Sequence, residues 1–346
     1  MKAYSAVVLT GISSRAWEHP ADRGALVALR KLRGFDQIAK RLSGFINERA
    51  VRMLLLGSAV RVDERQFSRV DRLYREAAAV LDVAELPELF VRADPTINAM
   101  AIGLERPVIV VNSALVDLMD DDELRFVLGH ELGHVASGHA VYQTLLQMLI
   151  ALSTTLVAIP FGLLGARAIM AALMEWSRKA ELSADRAGLL ATQDPRAAQR
   201  CHMKTASGGH LHDLDADAFL EQAKEYHAND DLRDLVIRVL MTEGQPHPFA
   251  VVRAGELEGW IASGEYADIV DGHYPRRQDD DKARLSEEAA AAARSYSAEF
   301  QRIDESLGKV FNDLGEGIGQ VRDWVADRLR DLGEPRNRDR EGPTGW

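Results

Sequence analysis

Residues 120–140 read DDDELRFVLGHELGHVASGHA. Asp120 followed three positions later by Glu123 has the form of a capping box, which satisfies the first free backbone N–H groups of a helix. The positions after this box are mostly apolar and include no proline. The sequence therefore predicts one helix over 120–140.

This helix contains the pattern His-Glu-x-x-His. Residues four apart share one helix face, so the imidazoles of His130 and His134 can reach one metal ion while Glu131 leans over an open position. There Glu131 can take a proton from water. The alternative is a pair of solvated or core histidines, but it leaves Gly129 and Gly133 unexplained, since each glycine inside a helix costs about 1 kcal/mol.

A catalytic metal site needs a third protein ligand, and a later helix offers one. Residues 181–185 read ELSAD, with two carboxylates four apart among apolar neighbours. An exposed acidic face is the alternative, yet burying such a pair is costly unless a cation compensates it. Glu181 is therefore the candidate third ligand, and Asp185 the candidate acceptor of a hydrogen bond from a ligand imidazole.

Short runs rich in β-branched or apolar residues predict a small mixed sheet ahead of these helices. The predicted strands are 59–62, 89–91, 98–103 and 107–111. Helical periodicity dominates the remainder of the chain. The predicted fold class is α+β and predominantly helical, with a small mixed sheet, the HExxH helix and a C-terminal helical extension.

Composition narrows the classes of partner and ligand. The chain has 346 residues, a formal charge of −11 and one cysteine, Cys201. A net negative charge argues against nucleic acid held by bulk electrostatics. With one cysteine, a metal must be held by histidines and carboxylates. His210 and His212 could bind a metal, but they lie in a polar segment, which favours a solvated loop.

The N-terminus has too short an apolar run for a signal peptide, which predicts a cytoplasmic protein. Residues 141–174 are mostly apolar, and Arg167 is their only formal charge. One membrane span here would separate His134 from Glu181, and two spans need more residues. A helical hairpin packed on the protein is favoured. A hairpin that dips partly into a membrane, giving peripheral membrane contact through 141–174, is the alternative.

Changes in composition predict five regions. The regions are 1–88, helical and packed on the core; 89–270, catalytic; 271–284, a charged linker; 285–332, amphipathic helices; and 333–346, a disordered tail. In the fourth region, apolar positions recur at three- and four-residue steps over 296–332. This pattern leaves open a homo-oligomer, a partner helix or docking onto the catalytic domain.

Several motifs occur together in an order that resembles the HtpX and CAAX prenyl endopeptidase family of zinc metallopeptidases, the gluzincins. The matching elements are Asn98-Ala99, Asn112-Ser113, HELGHVASGH from His130 to His139, ELSAD from Glu181 to Asp185, and His247-Pro248 with Arg253. The matching span covers residues 98–253, and the resemblance implies a zincin-type metallopeptidase fold there.

The resemblance also implies a role for individual residues. One Zn²⁺ per chain would be held by His130, His134 and Glu181, with Asp185 behind the ligands. Glu131 would be the catalytic base. His247 would be a second catalytic group at the oxyanion, and Asn98 and Arg253 would contact substrate.

The leading hypothesis is a zinc metalloendopeptidase that hydrolyses peptide bonds of unfolded or membrane-proximal proteins. A catalytically quiet relative that serves as a protein-binding quality-control module is the alternative, but such a chain has no physical need for a general base beside the metal. A structural zinc protein is disfavoured, since structural sites are usually closed by four protein ligands.

Overall fold

A computed structural model of the chain describes residues 6–31, 35, 39, 48–155, 163–228, 249–282, 289–294 and 296–297. All of them belong to the first of two compact units, residues 1–300. The predictions for 296–332, apart from residues 296–297, and for 333–346 lie outside the described residues, as does His247. The boundaries of the five regions stay predictions.

Four short strands form the mixed sheet that the sequence predicts. They are β1 (Val60–Arg61), β2 (Leu89–Arg92), β3 (Ala99–Ile102) and β4 (Val108–Asn112). The order across the sheet is β1-β2-β4-β3, with β2 parallel to β4 and the other two pairs antiparallel. β3 therefore lies at an edge of the sheet.

Helices make up most of the described chain and confirm the predominantly helical α+β fold class. They are α1 (Pro20–Arg30), α2 (Glu48–Ser58), α3 (Ser68–Val80), α4 (Ser113–Leu118), α5 (Asp121–Ala136), α6 (His139–Thr155), α7 (Leu163–Thr192), α8 (Pro195–Ser207), α9 (Ala216–Ala228), α10 (Ala250–Ala262) and α11 (Glu265–Val270). The HExxH pattern lies in α5.

Helix α5 begins at the predicted capping box. The Asp120 carboxylate accepts from the backbone N–H of Glu123, and the Glu123 carboxylate accepts from that of Asp120. The helix ends at Ala136, four residues earlier than predicted, and the next helix starts at His139. Gly138 lies between them with φ +71°, a backbone conformation that favours glycine.

The two glycines inside α5 allow it to pack closely on α7. A Cβ at Gly129 would overlap Ala191, and a Cβ at Gly133 would lie 2.5 Å from the Cβ of Ala187. Gly188 on α7 allows the reciprocal approach, since a Cβ there would lie 2.7 Å from the carbonyl oxygen of Phe126. The backbones of α5, which carries HExxH, and α7, which carries ELSAD, therefore approach each other closely.

Of the apolar stretch 141–174, residues 141–155 lie in α6 and residues 163–174 lie in the first part of α7. Helix α7 is continuous from Leu163 to Thr192, so the apolar residues 163–174 and the ELSAD segment lie in the same helix. No proline interrupts this range. Among the helices of the described residues, none combines the length and the apolar character needed to cross a membrane.

The N-terminal segment contributes to the main core. Leu9, Ile12 and Trp17 are almost fully buried and belong to the same apolar cluster as the inner faces of the sheet and of α5 and α7. Helix α1 packs on α7 and buries Asp22, which is 2 % exposed. A carboxylate at this depth requires polar partners, and these lie beside the candidate metal site.

Candidate metal centre

Two imidazoles on the inner face of α5 meet tip to tip. Nε2 of His130 lies 3.1 Å from Nε2 of His134, and the rings are close to perpendicular. Both side chains are buried. Burial lowers the pKa of His134 to about 3, so this imidazole is neutral and keeps a lone pair for a metal ion.

Glu181 on α7 completes a group of three ligand atoms. Its Oε1 lies 3.3 Å from Nε2 of His134, and its Oε2 lies 3.5 Å from Nε2 of His130. One ligand atom from each residue falls within 4.8 Å of the others. Two imidazoles and a carboxylate are the ligand set of many catalytic zinc sites, so these residues fit a bound divalent metal.

Asp185 lies behind His130, as the sequence predicts. Its Oδ1 is 3.0 Å from Nδ1 of His130. Burial alone would raise the pKa of Asp185, but the charge and hydrogen bonds of Arg253, together with His202 and His130, outweigh burial and hold this pKa well below its usual range. An ionised carboxylate here keeps the proton of His130 on Nδ1 and the lone pair on Nε2, where a metal would bind.

Arg253 on α10 bridges the two carboxylates of α7. Its guanidinium donates to both oxygens of Asp185, at 2.7 and 2.5 Å, and Nη1 lies 3.0 Å from Oε2 of Glu181. The side chain is only 8 % exposed. Arg253 therefore pairs with the acidic residues of the site. The contact of Arg253 with substrate stays a prediction.

A small cavity of about 50 Å³ opens beside the candidate base. Glu131 is 1 % exposed and lines this cavity together with Asn98, His130 and Arg253. A space of this size admits a few water molecules or a small side chain next to the Glu131 carboxylate.

Asn98 reaches the cavity from the residue that precedes β3. Its side chain is 6 % exposed, and its Oδ1 accepts no hydrogen bond from the described residues. A buried amide oxygen without a donor is costly for the folded chain and is available to a ligand. This placement agrees with the predicted contact between Asn98 and substrate, which stays a prediction.

Three buried residues of the site were not singled out from the sequence. His202 on α8 lines the same cavity, and burial lowers its pKa to about 4. Nδ1 of His139 lies 3.1 Å from Nδ1 of His134, and Nε2 of His139 lies 3.0 Å from Oδ2 of Asp22. Only His139 had a sequence signal, since it closes the HELGHVASGH stretch.

A second cluster of His210, His212 and Asp213 also brings ligand atoms within 4.8 Å, but all three residues are exposed. Its exposure agrees with the solvated loop expected from the sequence. Cys201 is buried, which raises the pKa of its thiol to about 12 and leaves it protonated.

The family model described as Peptidase family M48 matches residues 64–261, which is more than half of the chain. The chain belongs to peptidase family M48. The resemblance to HtpX drawn from the motifs is confirmed at this level. All the described ligand candidates, from His130 to Glu181, lie within the M48 match.

Curated relatives agree with the M48 assignment. The plastoglobule-localized metallopeptidase 48, chloroplastic, of Arabidopsis thaliana is 35 % identical over 274 residues, covering 78 % of this chain and 79 % of the relative. Protease HtpX of Xanthomonas euvesicatoria pv. vesicatoria (strain 85-10) is 33 % identical over 133 residues, covering 37 % of this chain and 44 % of HtpX. No solved structure matches the chain. This M48 member is a metalloprotease.

Proposed function

We propose that the protein is a zinc-dependent endopeptidase whose metal is held by His130, His134 and Glu181. The observation that carries this proposal is the buried group of two imidazoles and one carboxylate within the M48 match. Such a set leaves a coordination position open, as catalytic zinc sites require.

The chemistry divides between the ion and the chain. When bound, zinc supplies a Lewis acid that polarises the scissile carbonyl and increases the acidity of water. Glu131 takes the proton of the attacking water and returns it to the leaving amine. Asp185 orients the imidazole of His130, and Arg253 pairs with the carboxylates of Asp185 and Glu181. His247 is proposed to donate a hydrogen bond to the developing oxyanion.

We propose unfolded or membrane-proximal proteins as the substrate class. The position of β3 at an edge of the sheet supports this, because an extended peptide can add to an edge strand and Asn98 directly precedes β3. Cleavage of unfolded casein should exceed cleavage of a stably folded protein of similar size. Equal cleavage of both would contradict the extended-strand mode.

We further propose a cytoplasmic location with peripheral membrane contact through 141–174. The support is the apolar composition of this range together with the absence of a spanning helix among the described residues. Sedimentation with anionic and zwitterionic vesicles tests it. Binding that survives alkaline extraction would contradict a peripheral mode.

The test of the reaction is Glu131→Gln. The amide keeps the shape of the side chain but cannot take a proton, so peptide cleavage should fall by about 10²- to 10⁴-fold while bound zinc stays at the wild-type level. Glu221→Gln, on the exposed face of α9, is the matched control and should change neither quantity. Retained cleavage in Glu131→Gln would remove Glu131 from the role of base.

A further inference from the structure

The ligand His134 is connected to the N-terminal helix through a second histidine. Nδ1 of His134 lies 3.1 Å from Nδ1 of His139, and Nε2 of His139 lies 3.0 Å from Oδ2 of Asp22. All three side chains are at most 2 % exposed. Asp22 lies in α1, outside residues 64–261 and outside every motif that the sequence supplies.

Helix α7 fixes the orientation of the Asp22 carboxylate. Nε1 of Trp176 donates to Oδ1 at 2.9 Å, and Oγ of Ser183 donates to Oδ2 at 2.6 Å. The indole N–H is a donor only, so the atom that faces Trp176 must be an acceptor. Oδ2 accepts from Ser183 with one lone pair, and its other lone pair can accept from the N–H of His139.

The positions of the hydrogen atoms between Asp22, His139 and His134 follow from which of their atoms can donate and which can accept. If a metal takes the Nε2 lone pair of His134, the proton of that imidazole sits on Nδ1 and needs an acceptor. Gln143 presents its amide nitrogen 3.3 Å from this Nδ1, and an amide nitrogen cannot accept. Nδ1 of His139 can accept, provided that the proton of His139 is on Nε2, facing Asp22.

We propose that Asp22 and His139 are positioning residues for the metal ligand His134. Asp22 holds the proton of His139 on Nε2, His139 accepts from Nδ1 of His134, and Nε2 of His134 is thereby left free for the metal. Asp185 does the same for His130 directly, at 3.0 Å. The inference rests on the proposed metal site and makes helix α1 part of it.

The decisive variant is Asp22→Asn. Because Trp176 can only donate, the amide oxygen of the new side chain faces Trp176 and its NH₂ group faces His139. His139 must then accept on Nε2 and carry its proton on Nδ1, which removes the acceptor of His134. Zinc affinity, measured by competition with a graded chelator, should weaken by about 10- to 100-fold. Far-UV circular dichroism checks that the variant folds.

Replacements of His139 separate hydrogen bonding from packing. The side-chain oxygen of His139→Gln can accept from His134 without help from Asp22, whereas His139→Leu fills similar space and cannot accept. Zinc affinity should stay within about threefold of wild type in the glutamine variant and fall in the leucine variant. Asp22→Asn added to His139→Gln should cause little further loss. Equal losses in the glutamine and leucine variants would indicate packing alone and overturn the proposal.

Further outcomes decide between the possible failures. A folded Asp22→Asn variant with wild-type zinc affinity overturns the positioning role while the metal site stands. If Gln143→Leu weakens zinc binding as much as Asp22→Asn, His139 is not the acceptor. A wild-type protein that binds no zinc at all overturns both the proposed function and this inference.

Discussion

Arg253 is the residue on which the charge balance of the site depends. Its guanidinium pairs with Glu181 and Asp185, and all three side chains are at most 8 % exposed. Removing one partner of a buried ion pair leaves an uncompensated charge, which is far costlier than the pair itself.

Arg253→Met should therefore lower the free energy of unfolding of the zinc-free protein by about 3–5 kcal/mol, measured by urea denaturation with a chelator present. Arg196→Met, at an exposed arginine of α8, is the matched control and should have almost no effect. If Arg253→Met instead leaves stability intact and only raises KM, contact with substrate is its main role.

Asn98 and Asn112 differ in whether their side-chain oxygen accepts a hydrogen bond from the described residues. Asn112 donates to Thr96 and accepts from Arg92, whereas Oδ1 of Asn98 accepts no hydrogen bond from the described residues. Asn98→Ala should leave stability nearly unchanged and raise KM about fivefold, the effect of one hydrogen bond worth about 1 kcal/mol. Asn112→Ala should lower stability instead. A loss of stability in Asn98→Ala without a change in KM would refute the contact with substrate.

At the scale of elements, the close packing of α5 on α7 holds the ligands together. Gly129→Ala would place a methyl group on Ala191, so we expect a loss of about 1–3 kcal/mol from overpacking and weaker zinc binding as the helices separate. Gly57→Ala in α2 has open space around the new Cβ and should stabilise by up to about 1 kcal/mol. Thermal unfolding of both variants checks the pair, and equal effects would contradict the packing argument.

Much of the element scale could be predicted from the sequence because its signals are local. The capping box at Asp120 and Glu123 marked the start of α5, and short runs rich in β-branched or apolar residues marked β3 and β4. The continuity of α7 could not be predicted from the sequence, because the change from apolar to charged residues at Glu175 resembles a boundary between two helices. A change from apolar to charged residues within a helix marks a change of environment and does not end the helix.

At the scale of the whole molecule, the buried carboxylates make the free energy of unfolding depend on pH. The pKa of Asp185 is well below its usual range because Arg253 and neighbouring groups outweigh burial, and the pKa of Asp22 is lowered chiefly by His139 against burial. A depressed pKa in the folded state contributes stability above the unfolded value of about 3.9 that is lost as pH falls below it.

The zinc-free protein should therefore lose stability steeply below about pH 4. Asp185→Asn, although less stable at neutral pH, should show a shallower loss, because one linked proton is removed. Asp217→Asn, an exposed position on α9, should retain the wild-type slope. Urea unfolding between about pH 3 and 6 measures these slopes. Identical slopes in all three proteins would contradict the linkage to Asp185.

The long-range part of the site could not be predicted from the sequence. Asp22 and His139 are far apart in the chain and meet where α1 and α6 both pack on α7. A single aspartate in an amphipathic helix gives no signal of its own, and Arg253 carried a signal only through the family resemblance. His130, His134 and Glu131 were predictable because one helix turn fixes their spacing.

The central claim is that His130, His134 and Glu181 hold the catalytic metal. Elemental analysis of wild type and Glu181→Ala, with casein cleavage followed in parallel, tests it most directly, and Glu221→Ala serves as the exposed control. The account predicts one zinc per chain in wild type and in the control, and loss of both zinc and cleavage in Glu181→Ala. Full zinc retention by a folded Glu181→Ala variant would contradict it.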